Sequence, residues 1–250
     1  MADRFPDHFS AVARDYARHR PDYPAELFDW LARQSRPRER AWDCGSGSGQ
    51  AAQSLAPYFT QVLATDAAPA LLANLPTAAA VERIVCTAEA CALASASVDL
   101  ACVAQAAHWF RHQEFHAEVA RVLRPGGLLA IWGYGIVRAE DSALDGLLRD
   151  FHDTTLAPWW PEERQHIATQ YRDLPFPWTE TAAPVFRIER TWSLPELLGY
   201  LRTWSAVRRA QTAGHDPLAA LEPALHSLWP HAETPARIHW PVFLRAGFRP

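Results

Sequence analysis

The sequence predicts an α/β fold in which a doubly wound, mostly parallel sheet carries helices on both faces. In the first 135 residues, short apolar runs of strand length alternate with segments of helical periodicity, which is typical of parallel strands joined by crossover helices. A glycine run at residues 45–49 directly follows the first predicted strand. Beyond Tyr134 the pattern changes to helical segments joined by connections rich in proline and tryptophan, which indicates an elaboration of the same domain.

The elements of the first part follow from their periodicity and their boundary residues. Leu27, Trp30 and Leu31 recur at the spacing of one helix face, and Pro24 suits the first turn of that helix. The segment Pro-Gly-Gly at residues 125–127 stops the last helix before a β-rich run. The predicted helices are residues 25–31, 50–56, 68–75 and 115–123, and the predicted strands are residues 40–44, 62–65, 83–86, 98–103 and 128–132.

The second part is predicted to be mainly helical, with two more strands. Apolar residues at helical spacing predict helices over residues 142–151, 194–204 and 217–229. Residues 185–192 and 238–244 alternate between apolar and polar types, so they are predicted as strands at one edge of the same sheet. With 250 residues and no linker, repeat or low-complexity segment, the chain is expected to form one domain.

The composition disfavours several classes of partner. Charged residues make up 21% of the chain and the formal net charge is -4, whereas proteins that bind nucleic acids or anionic membranes use a surplus of cations. All 24 basic residues are arginine, and they form no clustered patch. We therefore expect no nucleic-acid partner and no membrane partner.

Cysteine usage and the apolar runs indicate a soluble cytoplasmic protein. Four cysteines without a CxxC pair, in a chain of this length, disfavour a disulfide framework. The opening residues MADRFPDHFS lack the apolar core of a signal peptide. The longest uncharged apolar stretch, residues 100–110, is too short to span a bilayer.

The glycine run is a candidate ligand-binding loop. Small residues let the backbone approach a ligand, and the following helix offers free N–H groups at its start. Residues 47–52 also satisfy the loose GxGxxA pattern of dinucleotide-binding proteins. However, Asp43 lies two residues before the first glycine, where a buried carboxylate would repel a pyrophosphate and attract an ammonium or sulfonium group. The loop residues expected to contact the ligand are Gly45, Ser46, Gly47 and Gly49.

Asp66 ends the second predicted strand, seventeen residues beyond Gly49. In a doubly wound fold this position reaches the ribose hydroxyls of a nucleoside bound in the crevice at the topological switch point. A carboxylate that accepts from both hydroxyls makes charge-assisted hydrogen bonds worth about 1.5–3 kcal/mol each. The alternative interpretation is a solvated residue that caps the helix beginning near Ala67.

Three histidines recur at intervals of four residues, namely His108, His112 and His116. This spacing can place imidazoles on one helix face as metal ligands. Because His108 lies in a predicted strand-to-helix turn, packing and hydrogen bonding are favoured over metal binding, and no metal is expected. His108 follows the fourth predicted strand, whose end faces the crevice, so it is the candidate catalytic residue.

Several segments, taken as an ordered set, resemble the class I S-adenosylmethionine-dependent methyltransferases of the methyltransferase type 11 group. The segments are WDCGSGSG, ATDAAPALL, CTAEACAL, SVDLACVAQAAHWF and VARVLRPGGLLAIW. The opening FSAVARDYARHRPDYP and the later LPFPW, WSLPELLGYLRTWSAV and HWPVFLRAG resemble a subgroup that includes trans-aconitate methyltransferase-like proteins. The resemblance implies a Rossmann-like sheet of seven strands whose last strand is antiparallel, with S-adenosylmethionine as the cofactor.

The resemblance also implies which residues bind S-adenosylmethionine. Asp43 and the backbone of residues 45–49 would hold the methionine moiety, and Asp66 would hold the ribose. Gln105, after the fourth strand, would lie beside the sulfonium. The residues implied to line the adenine are Thr87, Ala88 and Glu89, with Thr87 in place of the acid that the family often has.

The N-terminal segment is expected to cover the cofactor. Its apolar residues recur at near-helical spacing, so one stripe must bury against another surface. In the resembling family this region lies over the cofactor, which implies Tyr16 near the sulfonium and Arg20 near the methionine carboxylate. The alternative is a helix packed on the flank of the sheet. The expected division is a lid at residues 1–24, a cofactor-binding core at residues 25–135 and a substrate-side elaboration at residues 136–250.

These inferences predict an enzyme that methylates a small molecule, a carboxylic acid or an aromatic metabolite, by direct displacement of the sulfonium methyl group. If the acceptor is a hydroxyl or an amine, His108 is the candidate base, because its ordinary pKa suits proton transfer near neutral pH. A protein or tRNA methyltransferase and a non-catalytic, regulatory S-adenosylmethionine-binding protein are the alternatives.

Aromatic and arginine residues of the elaboration are candidates for the acceptor pocket. The pair Arg208-Arg209 is either a solvated helix face or a site for a substrate carboxylate. The aromatic residues are expected to be mostly core, with some of them walling the pocket. They are Tyr134, Trp159, Trp160, Trp178, Trp192 and Trp204.

Overall fold

A mixed sheet of eight strands lies at the centre of the part of the chain that the structure, a computed structural model, describes: residues 19–229, 231 and 233–250. Strands β3-β2-β1-β4-β5-β8 lie side by side in this order, and β6 and β7 both pair with β8. Strand β7 lies on the side of β8 that faces away from β5. Strands β1 to β5 are parallel, whereas β8 is antiparallel to its partners. Their bounds are β1 (Arg40–Cys44), β2 (Gln61–Asp66), β3 (Val81–Val85), β4 (Val98–Ala104), β5 (Leu123–Tyr134), β6 (Arg138–Ala139), β7 (Phe186–Trp192) and β8 (Ala236–Phe248).

This topology confirms the predicted fold class, a doubly wound and mostly parallel sheet whose last strand is reversed. The described residues form eight strands rather than the seven expected, because the two-residue β6 also pairs with β8. The predicted position of the two later strands at one edge of the same sheet agrees with the structure: β8 and β7 lie beyond β5, with β8 between β5 and β7. An interior position satisfies the backbone hydrogen-bonding groups on both sides of this thirteen-residue strand.

Helices connect the strands and form most of the elaboration. The predicted helices are present with shifted ends, and a short helix at residues 165–168 and another at residues 205–212 were not predicted. The bounds are α1 (Ala25–Gln34), α2 (Gln50–Leu55), α3 (Pro69–Ala73), α4 (His112–Val122), α5 (Ser142–Asp150), α6 (Gln165–Ala168), α7 (Leu194–Arg202), α8 (Ser205–Thr212) and α9 (Pro217–Leu228). None of the helices in the described part of the chain is long and apolar enough to cross a membrane.

The helix predicted over residues 194–204 ends at Arg202, and a second helix, α8, begins at Ser205. The hydroxyl of Thr203 donates to the carbonyl oxygen of Tyr200 at 2.6 Å, and Trp204 is extended, with φ -69° and ψ 134°. A threonine hydroxyl that bonds to nearby backbone competes with helix continuation. The break therefore falls at residues 203–204, and it turns the Trp204 ring into the core, where only 4% of the residue is exposed.

Strand β5 begins earlier than predicted, and the Pro-Gly-Gly segment belongs to it. The N–H of Gly126 donates to the carbonyl oxygen of Arg249 at 2.8 Å, and the N–H of Arg249 donates to that of Gly127 at 2.9 Å. The chain's last residues thus pair with a segment that the sequence suggested was a loop. Helix α4 accordingly ends at Val122.

Both faces of the sheet are buried, and β4 shows the alternation. Leu100 and Cys102 belong to one apolar cluster, which also contains the buried faces of α1 and α2. Val98, Ala101 and Val103 belong to the second cluster, which contains the buried face of α4. Burial on both faces explains the continuous apolar runs of these strands and confirms the prediction of helices on both sides.

Candidate functional site

The candidate site lies where the chain changes direction across the sheet. From β1 the chain proceeds to β2 and β3 on one side, and it then returns to β4 on the other side of β1. The loops after β1 and β4 meet at this switch point, where open α/β sheets bind their ligands. A Cβ atom at Gly45 would lie 2.8 Å from the Cβ of Ala106. The predicted glycine loop and the segment after β4 are therefore brought together.

Three glycines of the loop adopt positive φ, but they face different surroundings. Gly45 has φ +69°, Gly47 +57° and Gly49 +85°. A Cβ at Gly49 would lie 2.3 Å from Cγ of Leu75, whereas a Cβ at Gly47 would meet no heavy atom within 4 Å. Gly45 and Gly49 thus permit close packing within the protein. Gly47 leaves the backbone of the loop open on the side where a ligand can approach.

Asp43 lies in β1 beneath this loop and is fully buried. The thiol of Cys102 donates to its Oδ1 over 3.7 Å, while its Oδ2 has no hydrogen-bond partner among the described residues. Burial raises the pKa of Asp43 to about 6. An acceptor oxygen without a partner in a buried place is costly, so this carboxylate suits a ligand that brings a cation or an N–H donor.

Asp66 at the end of β2 ties the loop to the next helix. Its Oδ2 accepts from the N–H of Gly47 at 2.9 Å, and its Oδ1 accepts from the N–H of Ala68 at 2.8 Å. Burial raises its pKa, against the opposing effect of these two hydrogen bonds. The residue is 9% exposed, so it is not solvated, and its second contact is with Ala68, the residue that precedes helix α3.

The segment expected at the adenine follows β3. Thr87 is exposed and pairs with Ala90 in an isolated bridge, whereas Ala88 is buried. Oε1 of Glu89 accepts from the N–H of Arg111 at 2.9 Å. Arg111 is the residue that precedes helix α4, so Glu89 fixes the start of that helix next to the switch point.

Gln105, directly after β4, has an unusual backbone conformation for a residue with a side chain. Its φ is +57°, which costs free energy and marks sites where the surroundings determine the conformation. Its Nε2 donates to the carbonyl oxygen of Tyr134 at 3.3 Å. Its Oε1 is buried and has no hydrogen-bond partner among the described residues. A Cβ at Gly133 would lie 2.7 Å from that oxygen, so the glycine is needed for the amide to fit.

His108 lies in a 3₁₀ turn, Ala107–Trp109, after Gln105. Its Nδ1 is 2.8 Å from the hydroxyl of Tyr171. Burial, with smaller contributions from Arg164 and nearby histidines, lowers the pKa of His108 to about 3. The imidazole is therefore neutral at physiological pH. In the part of the chain that the structure describes, no three histidine, cysteine, aspartate or glutamate side chains are grouped as a metal ion requires.

Arg20 reaches the end of β5 from the N-terminal segment. Its Nη1 donates to the hydroxyl of Tyr134 at 2.9 Å, and its Nη2 donates to the carbonyl oxygen of Thr203 at 3.4 Å. Its guanidinium also lies over the ring of Tyr200, 5.4 Å from the centroid. Tyr16 lies outside the described residues, so the predicted lid stays a prediction.

Three aromatic rings of the elaboration, Tyr200, Trp204 and Trp160, form a row that begins next to Arg20, and we call this row the aromatic wall. The Tyr200 and Trp204 centroids are 5.7 Å apart, and those of Trp204 and Trp160 are 5.6 Å apart. Trp204 is buried, whereas Trp160 remains half-buried. The guanidinium of Arg164 lies over the Trp160 ring, 5.1 Å from its centroid. This wall combines apolar surface with two cations.

Two further features of the elaboration are a surface depression and the Arg208-Arg209 pair. A surface depression of about 550 Å³ is lined by Pro177, Trp178, Thr179, Phe248 and Pro250. Phe248 pairs with Leu128, far along β5 from Tyr134, so this depression lies at the opposite end of the sheet from the glycine loop. Arg209 is exposed, and Nε of Arg208 donates to the carbonyl oxygen of Arg202 at 3.3 Å. These contacts favour the solvated-face interpretation of the arginine pair.

Three residues near the site were missed by the sequence analysis. Tyr171 is 63 positions from its partner His108, and no local pattern indicates such a contact. Tyr200 lies within a helix whose apolar periodicity predicts only burial. Arg164 offered a weak signal, because it follows the Pro-Trp-Trp-Pro segment at residues 158–161.

The site's residues fit the cofactor that the sequence implies. Oδ2 of Asp43 and Oε1 of Gln105, which have no hydrogen-bond partner among the described residues, can accept from an ammonium group or lie beside a sulfonium cation. The Asp66 carboxylate retains lone pairs beyond its two backbone contacts, which ribose hydroxyls can use. Beside them, Gly47 keeps the loop backbone accessible.

Comparisons with known proteins agree with this fit. A family model described as a methyltransferase domain matches residues 42–131. A Dictyostelium discoideum protein that carries the name of a methyltransferase is 30% identical over 248 residues, which cover 96% of this chain and 94% of that protein. A solved Anaeromyxobacter dehalogenans structure, assigned as a type II methyltransferase, is 43% identical with a TM-score of 0.86, over 92% of this chain and 97% of that chain.

A more distant structure shares the fold alone. The Haemonchus contortus phosphoethanolamine N-methyltransferase 2, solved with phosphomonomethylethanolamine and S-adenosylhomocysteine, is 14% identical with a TM-score of 0.50. The match covers 98% of this chain and 58% of that chain. The trans-aconitate methyltransferase-like subgroup stays a prediction, whereas the wider family is shown. The chain belongs to the S-adenosylmethionine-dependent methyltransferases, and S-adenosylmethionine is its cofactor.

Proposed function

We propose that this methyltransferase acts on a small molecule, a carboxylic acid or an aromatic metabolite, and not on RNA or protein. The observation that carries the proposal is the aromatic wall beside the end of β5. Trp160, Trp204 and Tyr200 are joined by ring contacts of 5.6 and 5.7 Å. Such a wall suits a compact apolar or planar molecule, because ligand sites for small molecules are mostly apolar with a few polar groups.

We assign the cofactor contacts to the residues that the sequence indicated. In this assignment the methionine moiety is held by Asp43 and by the loop residues Gly45, Ser46, Gly47 and Gly49. The ribose is held by Asp66. Gln105 is to lie beside the sulfonium and Arg20 beside the methionine carboxylate. Thr87, Ala88 and Glu89 are to line the adenine. The support is the position of these residues at the carboxyl ends of β1 to β4.

The bound cofactor supplies an already activated methyl group, so the protein's main task is to align the acceptor in line with it and exclude water. Such orientation can supply about 7–11 kcal/mol of the barrier at best. The Gln105 backbone, held by its N–H bond to the carbonyl oxygen of Trp132 at 2.9 Å, fixes one side of the reacting centre. Aromatic side chains of the elaboration, such as Trp204, exclude water from the other.

The state of His108 favours an acceptor that needs no base. With a pKa lowered to about 3 by burial, the imidazole is a weak base at neutral pH, and proton abstraction is most efficient when the pKa lies near the working pH. We therefore assign His108 the role of a neutral hydrogen-bonding group, oriented by Tyr171. A carboxylate acceptor is already ionised at neutral pH, so it fits this assignment better than a hydroxyl.

The proposal is tested by following a labelled methyl group. Purified protein is incubated with methyl-labelled S-adenosylmethionine and, separately, with a metabolite extract, bulk RNA and a protein extract. We expect the label in small organic acids or aromatic metabolites. The matched control is Asp66→Ala, which loses the carboxylate at the ribose position. We expect its affinity for the cofactor to fall by at least about tenfold, and its rate of methyl transfer to fall as well.

Two outcomes would contradict the proposal. A greater transfer to RNA or protein than to every small-molecule fraction would favour a macromolecular substrate. Binding of S-adenosylmethionine by calorimetry without transfer to any fraction would favour a non-catalytic, regulatory protein, since fold alone does not establish activity.

A further inference from the structure

Arg164 is a cation beside the aromatic wall, and it has no anionic partner among the residues that the structure describes. It ends a 3₁₀ turn, Glu162–Arg164, in the elaboration. In the part of the chain that the structure describes, no side-chain hydrogen bond or ion pair satisfies its guanidinium. Other arginines of this protein behave differently: Arg138 and Arg245 each lie 2.7 Å from a carboxylate oxygen.

The surroundings of Arg164 place it beside the reacting centre. Its guanidinium lies over the Trp160 ring at 5.1 Å, and Trp160 contacts Trp204 in the aromatic wall. The turn that carries Arg164 packs against the turn Ala107–Trp109, which carries His108. Arg164 therefore lies between the aromatic wall and the end of β4.

The local electrostatics disfavour Arg164 in the absence of an anion. Burial lowers its pKa, and the nearby Arg20 cation acts in the same direction, whereas Tyr200, Tyr134 and Tyr171 have the opposite effect, each smaller than that of burial. A cation taken out of water without a partner is destabilising unless a counter-charge arrives. The residue is only partly buried, so a small ligand can still reach it.

We propose that Arg164, stacked on Trp160, binds a carboxylate of the methyl acceptor and so selects anionic substrates. A planar guanidinium matches a carboxylate through two parallel N–H···O bonds, and the ring beneath it can hold the plane in place. A carboxylate oxygen that accepts hydrogen bonds from Arg164 is a weaker nucleophile. The acceptor therefore presents a second group that needs no base, such as a second carboxylate, to the methyl, and Arg164 sets the distance between the two groups.

This inference rests on the proposed small-molecule function and is tested without turnover. The probes are benzoate and its neutral analogue benzamide, each titrated into protein saturated with S-adenosylhomocysteine and followed by ligand-observed NMR. We expect benzoate to bind at least about tenfold more tightly than benzamide. Arg164→Gln should abolish that preference, and Arg164→Lys should keep only part of it, because lysine retains the charge but not the fork.

Arg209→Gln is the matched control, because Arg209 is exposed on α8, and it should leave the preference intact. Circular dichroism and calorimetry with S-adenosylhomocysteine should show that Arg164→Gln is folded and binds this product as the unmodified protein does. Weaker binding of S-adenosylhomocysteine by that variant would assign Arg164 to the cofactor and overturn the proposal.

Three further results would overturn it: no benzoate binding at millimolar concentration, equal binding of the two probes, or a preference that survives Arg164→Gln. These results are distinct from failure of the proposed function. Transfer of label to RNA or protein would contradict the small-molecule proposal whatever benzoate does, whereas equal binding of benzoate and benzamide by the unmodified protein would contradict the role of Arg164 alone.

Discussion

At the scale of single residues, Asp43 is a carboxyl group whose ionisation depends on its position in the sheet. It lies in β1 with no exposed surface, and burial raises its pKa to about 6. The thiol of Cys102 that donates to it stays protonated, because burial raises the pKa of that thiol as well. Asp43 is thus close to half-ionised near pH 6, and a bound cation would favour the ionised form.

We expect the affinity for S-adenosylmethionine to rise with pH up to about 6 and then to level off. Only the ionised carboxylate attracts the cationic ligand, so at one pH unit below the pKa the affinity should be about tenfold lower than the plateau. Calorimetry between pH 5 and pH 8 measures this dependence. Asp43→Asn should bind more weakly throughout and with a flatter profile. An unmodified protein whose affinity is constant over that range would refute the role of Asp43.

At the scale of elements, the turn from β1 to α2 divides two tasks between neighbouring glycines. Gly49 is buried and has φ +85°, with Leu75 where a side chain would be. Gly47 has φ +57° with open space around it, and its N–H is held by Asp66. One glycine is therefore needed for packing between α2 and the segment after α3, and the other for access to the loop backbone.

Substitution by alanine should separate these two tasks. Gly49→Ala combines a left-handed backbone penalty with overpacking, so we expect a loss of about 2–5 kcal/mol in the free energy of unfolding. Gly47→Ala should cost only the backbone penalty of about 1–2 kcal/mol, but it should weaken cofactor binding by more than about tenfold. Urea denaturation and calorimetry measure the two effects. Equal stability losses, or normal cofactor affinity in Gly47→Ala, would contradict this division.

At the scale of the whole molecule, β8 joins the cofactor half of the sheet to the elaboration. Val242 pairs with Tyr134 of β5 on one side and with Phe186 of β7 on the other. Trp240 on the same strand is fully buried, and its Nε1 donates to the hydroxyl of Tyr200 at 2.8 Å. The last strand therefore packs directly against α7, which contributes Tyr200 to the aromatic wall.

We expect Trp240→Ala to reduce the free energy of unfolding by about 3–5 kcal/mol, because it leaves a cavity and an unpaired Tyr200 hydroxyl. Trp240→Phe should cost less, since it keeps most of the apolar volume. Trp192→Ala is the matched control: that ring contacts Trp240 at 5.1 Å but is only half-buried, so its loss should be smaller. Urea denaturation of the three variants measures the free energy of unfolding. A larger decrease for Trp192→Ala than for Trp240→Ala would refute the assigned role of Trp240.

The sequence alone determined the features that depend on local patterns. The alternation of apolar runs with helical segments predicted the parallel sheet, because a strand buried on both faces needs apolar residues throughout, as β4 has. The glycine run predicted a turn whose backbone a ligand can approach, since glycines at positive φ leave a recognisable composition; the cofactor contacts of Asp43 and Asp66 stay predictions. These signals are contained in contiguous segments, so no tertiary contact is needed to read them.

Only the tertiary structure decided the features that depend on distant neighbours. The ordinary pKa of His108 suggested a base, but burial, with smaller contributions from Arg164 and nearby histidines, lowers that pKa to about 3 and leaves a neutral imidazole. The pairing of β8 with β5 on one side and with β7 on the other was not predicted, because strand periodicity does not encode which strands are neighbours. Arg164 was missed because the groups around an arginine are known only once the chain has folded. Burial and pairing are properties of the folded chain, so local sequence patterns do not contain them.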